Sequence, residues 1–262
     1  MKTNLLSVNN IFTALIGISF ASFAAATGAQ PLKVFVLAGQ SNMVGVRSEI
    51  TALPENLKTE NPDILFFDGQ TWAPMKPGNT EAKGFGPEIS FARKIHDAWK
   101  EPVGIIKHSK GGSMLASNWS PRSTKENLLA ELLARVKAAQ AAREIEIVGV
   151  LWMQGESDAV NEKRAALYAN NLDLLIERFR SEFNNPALLF LCARVNPPED
   201  RYPTAAIVRK AQEECTYAHY RLIDCDDLEK VGDNLHYNTR GIIELGNRFA
   251  DAALKPKIAA TP

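Results

Sequence analysis

Six short apolar runs, each four to eight residues long, are spread through this chain: Lys33–Leu37, Ile64–Phe67, Val103–Lys107, Ile147–Met153, Leu188–Val195 and Arg221–Asp224. Runs of this length, rich in β-branched residues and apolar on both faces, read as buried strands. Amphipathic segments alternate with them. Leu128, Leu129, Leu132, Leu133 and Val136 recur at steps of three and four, and so do Tyr168, Leu172, Leu175, Ile176, Phe179 and Phe183. Both stripes predict helices with one buried face. Pro87 suits the first turn of a helix over Glu88–Trp99, and Thr239 is placed to cap a last helix, Arg240–Leu254. Strands without a polar face need cover on both sides, so the pattern predicts a three-layer α/β/α sandwich around a parallel sheet. The irregular stretches Ser48–Pro62 and Gly69–Gly86 are expected to be surface loops that shape a ligand site.

Composition narrows the class of partner. The chain has 262 residues, 45% of them hydrophobic, which suits one domain with a large core. Thirty basic residues balance thirty acidic ones, and no basic block or aromatic-interleaved Lys/Arg stretch occurs, so a nucleic-acid partner is excluded. Lys2 precedes an apolar stretch, Ile11 to Ala26, that ends in Ala24-Ala25-Ala26-Thr27-Gly28-Ala29. A positive start, a short apolar middle and a small-residue end match a secretory signal peptide. Thr13, Gly17, Ser19 and Ser22 interrupt the stretch and argue against a membrane anchor. Residues 1–29 are therefore expected to be a signal peptide and residues 30–262 the working domain, exported to the periplasm or outside the cell. No later segment is apolar enough to span a bilayer. Three cysteines, Cys192, Cys215 and Cys225, permit at most one internal disulfide. Cys192, inside a strand, reads as a buried thiol; Cys215 and Cys225 fit either a pair or two buried thiols.

The end of the first strand carries chemistry. Val34-Phe35-Val36-Leu37-Ala38 runs directly into Gly39-Gln40-Ser41-Asn42-Met43, which places Ser41 on the rim of a sheet, where open α/β proteins keep their ligand sites. Far along the chain, Asp233-Asn234-Leu235-His236 sets an acid three residues before a histidine. Serine, histidine and acid are the nucleophile, base and orienting group of acyl transfer. Met43 stands where the second glycine of a Gly-x-Ser-x-Gly elbow would be, which argues against the α/β-hydrolase fold. Ser113, in Gly111-Gly112-Ser113, also follows a strand and is the rival nucleophile. Of the four histidines, His96 falls in a helix pattern, His219 just before a strand, and His108 after one; His236 has the nearest acid.

Acyl transfer also needs donors aimed at the developing oxyanion. The backbone N–H of Ser41, the unhindered backbone of Gly111-Gly112 and the side-chain amide of Gln154, just past the fourth strand, are candidates. Glu156 and Asp158 are further acids that could orient His236 in place of Asp233; Glu156, with Gln40 and Asn42, is assigned to the architecture of the site. The acidic run Asp224, Asp226, Asp227 and Glu229 lacks the glycine and spacing of a calcium loop and reads as a solvated strand end. No metal and no cofactor are expected.

Gly39-Gln40-Ser41-Asn42-Met43, Trp152-Met153-Gln154-Gly155-Glu156-Ser157-Asp158 and Asp233-Asn234-Leu235-His236, in that order, resemble the sialate O-acetylesterase-type carbohydrate esterases, a branch of the SGNH hydrolases. The resemblance spans nearly all of the chain after residue 30. It implies a flavodoxin-like winding of the sheet, a Ser41–His236–Asp233 triad, and an oxyanion hole of Ser41, Gly112 and Gln154, with Gln154 in the place of the SGNH asparagine. The expected activity is removal of O-acetyl groups from carbohydrate of acetylated-xylan or sialic-acid type. The flanking loops hold Trp72 and Trp119, which are either flat faces for sugar rings or core residues. An SGNH-type lipase or thioesterase, and a non-catalytic glycan-binding domain, are the rival readings.

Overall fold

The computed structural model describes residues 30–80 and 83–256, so the expected signal segment lies outside the described residues. The first strand, β1 (Leu32–Gly39), leads through Gln40 into a single helical turn, α1 (Ser41–Val44). A short helix α2 (Glu55–Lys58), strands β2 (Ile64–Phe67) and β3 (Trp72–Pro74), helix α3 (Glu88–Trp99) and strand β4 (Val103–Ser109) follow. The second half runs through α4 (Leu128–Ala142), β5 (Ile145–Met153), α5 (Glu162–Ala166), α6 (Tyr168–Glu182) and β6 (Leu189–Ala193). It closes with α7 (Ala205–Glu213), β7 (Tyr220–Ile223) and α8 (Thr239–Leu254).

The strands form one sheet in the order β3-β2-β4-β1-β5-β6-β7. All neighbours are parallel except β2 and β3. Taken alone, β4-β1-β5-β6-β7 has the flavodoxin-like order, with the second strand outside the first and the rest on its other side. The pair β2 and β3, which falls between β1 and β4 in sequence, widens the sheet at the β4 edge. The expectation of an all-parallel sheet and of a structureless stretch over Gly69–Gly86 is thus corrected by β3, whose antiparallel edge position tolerates Pro74. Ser48–Pro62 likewise contains a 3-10 turn, Ile50–Ala52, and α2. The last helix starts one residue earlier than expected, and its cap is Asn238, whose side chain accepts from the Gly241 N–H, rather than Thr239.

Helices cover both faces. Phe35 of β1 meets Phe91 of α3 edge-on at 4.8 Å between ring centres, and pairs in register with Gly149. Phe190 of β6 faces Phe179 of α6 at 6.3 Å and pairs with Val150. Gly149 and Val150 are consecutive in β5 and so point to opposite sides, which puts α3 and α6 on opposite faces. Helix α8 packs along α3, where the Ser90 hydroxyl donates to the Ile243 carbonyl at 2.8 Å. No described helix is long and apolar enough to cross a membrane. All three cysteines are free thiols, Cys192 and Cys225 buried and Cys215 half-buried; burial pushes the Cys192 thiol up to about 12.

One ion pair lies wholly inside this core. Lys107, near the end of β4, places Nζ 2.7 Å from Glu88 Oε2 at the start of α3, with both side chains fully buried. The other carboxylate oxygen accepts from the Thr80 hydroxyl and, at 2.8 Å, from the Gly86 N–H. Lys107 Nζ also lies 3.4 Å from the Val44 carbonyl at the end of α1, so the pair sits directly behind the turn that carries Ser41.

Candidate active site

Strand β1 is central, and it turns sharply where it leaves the sheet. Gly39 has φ +152°, and a Cβ there would fall 2.1 Å from the Met153 carbonyl oxygen, so no other residue fits. The Gln40 N–H donates to that same carbonyl at 2.9 Å, which pins the turn to the end of β5. Ser41 is then the first residue of α1, standing at the rim between β4 and β5, where the winding reverses.

The second part of the site is a tight loop between β7 and α8. Lys230 and Tyr237 form an antiparallel bridge across it, and the Val231 N–H donates to the His236 carbonyl at 2.9 Å. Asn234 occupies the left-handed region at φ +55°, which asparagine tolerates better than most residues. Asp233 Oδ1 accepts from the backbone N–H groups of Leu235 and His236, both at 2.9 Å. Folding the carboxylate back on its own turn leaves Oδ2 beside the imidazole of His236, 2.7 Å from Nδ1. This is why an acid three residues before a histidine works here: the backbone bonds that close the turn also aim the acid. The Arg201 guanidinium donates to the Asp233 carbonyl and ties the loop to the segment after β6. Burial pushes the Asp233 carboxyl up, but the His236 backbone N–H, the imidazole and the Leu235 N–H outweigh it and hold it at about 2.

Ser41 Oγ lies 3.1 Å from His236 Nε2, across 195 residues of sequence. With Nδ1–H donated to Asp233, Nε2 is the acceptor for the serine hydroxyl, so the imidazole is poised to take its proton. Among the described residues, Asp233 is the acid bonded to the ring, while Glu156 bonds Asn42 and Asp158 bonds Gln154 and the Leu115 and Ala116 N–H groups.

The neighbouring loops separate the other expected residues. Gly111 stands next to the serine, since a Cβ on it would lie 3.8 Å from Ser41 Cβ. Gly112 is exposed at φ +73°, with open space where a Cβ would be. Among the described residues neither the Ser41 nor the Gly112 backbone N–H has an acceptor, which leaves both available to a ligand.

Gln154 departs from expectation. It is fully buried, and its Nε2 donates to Asp158 Oδ2 (2.6 Å), the Ser113 carbonyl (3.1 Å) and Gln40 Oε1 (3.2 Å). An amide with two hydrogens, occupied by protein acceptors and shut off from solvent, cannot also reach a substrate oxyanion. Gln154 therefore ties the β1, β4 and β5 loops together. Asp158 belongs to the same knot: its carboxylate accepts from the Leu115 and Ala116 N–H groups at 2.8 and 3.0 Å and so shapes the glycine loop. Tyr168, expected only as part of a helix stripe, and Gln212 hold the Gln154 carbonyl at 2.7 and 3.1 Å.

Gln40 and Asn42 face inward as architecture. Gln40 Oε1 accepts from Gln154 Nε2 and from the Gly155 and Ser157 N–H groups, at 3.2 to 3.3 Å. Asn42 reaches Glu156, Leu235 and Tyr237. The rival serine, Ser113, is buried and accepts from Trp119 Nε1 at 2.9 Å. His108 Nε2 lies 3.0 Å from Glu131 Oε2, and His96 is among Asn61, Asp63 and Asp97. Trp119 is fully buried edge-on against Trp152, and Trp72 Nε1 donates to the Ala139 carbonyl at 3.3 Å, so both tryptophans are packing residues rather than sugar platforms. The acidic run is ion-paired rather than merely solvated: Asp224 and Asp226 meet Arg194, Asp226 also meets Arg209, Asp227 meets Arg248 and Glu229 meets Arg240. The Arg248 guanidinium holds the Asp227 carboxyl at about 2.

Residues 31–255 match the family model described as carbohydrate esterase, sialic acid-specific acetylesterase. The chain belongs to this family. It is a carboxylic ester hydrolase of the carbohydrate acetylesterase class. A probable carbohydrate esterase of Arabidopsis thaliana is 26% identical over 252 residues, covering 86% of this chain and 91% of that protein. The solved Arabidopsis structure superposes with a TM-score of 0.74 at 25% identity, over 87% of this chain and 100% of that one. In fold, the carbohydrate esterase also resembles a carbohydrate acetylesterase from Xanthomonas citri, with a TM-score of 0.68, 20% identity and coverage of 84% and 55% of the two chains. The crystal structure of NanS superposes with a TM-score of 0.63 at 18% identity, over 86% of this chain and 97% of that one.

Proposed function

We propose that this esterase removes acetyl groups from carbohydrate by a serine mechanism in which Ser41 is the nucleophile, His236 the base and Asp233 its orienting acid. The observation that carries the reading is the unbroken chain Ser41 Oγ–His236 Nε2, His236 Nδ1–Asp233 Oδ2, at 3.1 and 2.7 Å. Ser41 Oγ attacks the acetyl carbonyl as its proton passes to His236 Nε2. The Ser41 and Gly112 N–H groups receive the oxyanion. Collapse breaks the ester bond, and the sugar oxygen leaves with the proton from His236. Water, deprotonated by His236, then releases acetate from acetyl-Ser41. Gly112 is exposed at the sheet rim while Ser41 beside it is only 6% exposed, which suits a small acyl group on a bulky alcohol. O-acetylated glycans of xylan or sialic-acid type are the proposed substrates.

A lipid-acting enzyme would gain about 0.8 kcal/mol, or about fourfold, for each methylene it buries. The expected order here is the reverse: p-nitrophenyl acetate is cleaved better than butyrate, and octanoate scarcely at all. Acetylated xylan and O-acetylated sialic acid, assayed by acetate release, then identify the glycan. Activity that climbs from acetate to octanoate overturns the acetyl reading in favour of a lipase or thioesterase.

The proposed place of action is the periplasm or the cell exterior. The support is Lys2, the apolar stretch Ile11–Ala26 and the small residues that end it. N-terminal sequencing of the exported protein is expected to begin between Ala25 and Pro31; a cytoplasmic protein that keeps Met1 overturns it.

A further inference from the structure

Glu156 is the acid that the proposed mechanism leaves unused, and it is placed unusually for a surface-loop residue. Its side chain is 1% exposed, Oε1 accepts from Asn42 Nδ2 at 3.1 Å, and Oε2 is buried with no hydrogen-bond partner among the described residues. Leaving a buried polar atom bare is costly, so its retention at a reactive centre calls for a reason.

Asn42 supplies the connection. It follows Ser41 directly in α1, and its side chain grips the peptide groups on either side of the base. Asn42 Oδ1 accepts from the Tyr237 N–H at 3.0 Å, and Nδ2 donates to the Leu235 carbonyl at 3.2 Å. The second Nδ2 hydrogen goes to Glu156. One amide therefore fixes the loop of His236 against the turn of Ser41. Glu156 Oε1 is an acceptor, so it holds that amide in the one orientation that serves both loop bonds.

We propose, on the basis of the serine mechanism above, that Glu156 is a positioning residue: its Oε1 locks the Asn42 amide so that the loop of His236 stays in reach of Ser41. Burial pushes the Glu156 carboxyl up, outweighing the backbone N–H of Glu156 and the Asn42 amide, which favour its anion. In either charge state Oε1 is the acceptor that Asn42 meets.

The test is kcat and KM for p-nitrophenyl acetate in Glu156→Ala, which removes the acceptor, and in Glu156→Gln, which keeps an oxygen for Asn42. Glu156→Ala is expected to lower kcat by about tenfold with KM within about twofold, and Glu156→Gln to keep most of the activity. Should Glu156→Ala fail to fold, Asn42→Ala takes its place, with the same fall in kcat at unchanged KM expected. Where both fold, the double variant is expected to be no worse than the poorer single one. An unaltered kcat in Glu156→Ala, a Glu156→Gln as poor as Glu156→Ala, or an Asn42→Ala effect confined to KM overturns the proposal. Ser41→Ala run in the same assay separates the two ideas: an active Ser41→Ala removes the serine mechanism itself, whereas an inactive one beside an unaltered Glu156→Ala removes only the role of Glu156.

Discussion

Replacing Ser41 with alanine is expected to lower kcat for p-nitrophenyl acetate by about 10⁴- to 10⁶-fold while leaving thermal unfolding unchanged. Alanine removes the oxygen that the proposed mechanism acetylates and leaves the buried backbone turn and Met43 behind it without a change in packing partners. His236→Ala is expected to match it, because serine without a base is protonated and unreactive at neutral pH. Asp233→Asn is expected to cost about 10⁴-fold, since the amide cannot hold the same imidazole tautomer. Ser113→Ala is the control. It removes the acceptor for Trp119 Nε1, so it is expected to cost stability, with turnover per folded molecule near normal. Rapid turnover by Ser41→Ala, together with a dead but folded Ser113→Ala, would move the nucleophile to Ser113.

The second large effect is on stability. Lys107→Met strands the Glu88 carboxylate in a dry core, and breaking a buried pair from one side costs about 3–5 kcal/mol. That is a large share of the stability of a domain this size, so urea unfolding is expected to shift markedly to lower midpoint. Glu88→Gln added to Lys107→Met is expected to recover part of the loss. The amide oxygen can still accept from Thr80 and Gly86, and no bare charge remains. An equal or greater loss in the double variant would mean that the charges themselves are not what the core is built around.

Much of this molecule is legible in the sequence where local chemistry decides the outcome. The strand runs are apolar on both faces because the sheet has helices on both, and the bounds of α3 follow from Pro87 and the spacing of Ile89, Ala92 and Ile95. Asp233 and His236 are readable together because one turn of backbone aims one at the other. Strand β3 leaves no mark in the sequence because three residues ending in proline carry no periodic signal; only its pairing with β2 makes it a strand. The place of Gln154 at the sheet rim is legible, but its direction depends on three acceptors from separate segments, and sequence position does not give direction. Lys107 did leave a trace, as a lone charge closing an apolar run. Its partner Glu88 is chosen by how α3 packs behind α1, which is a tertiary fact.

The distance along the chain between Ser41 and His236 has a consequence for how the enzyme comes into being. The serine belongs to β1 and the turn after it, and the histidine to the loop before α8, so the two meet only where that loop packs against Asn42. Neither half of the chain carries the arrangement by itself: it exists only in the assembled fold.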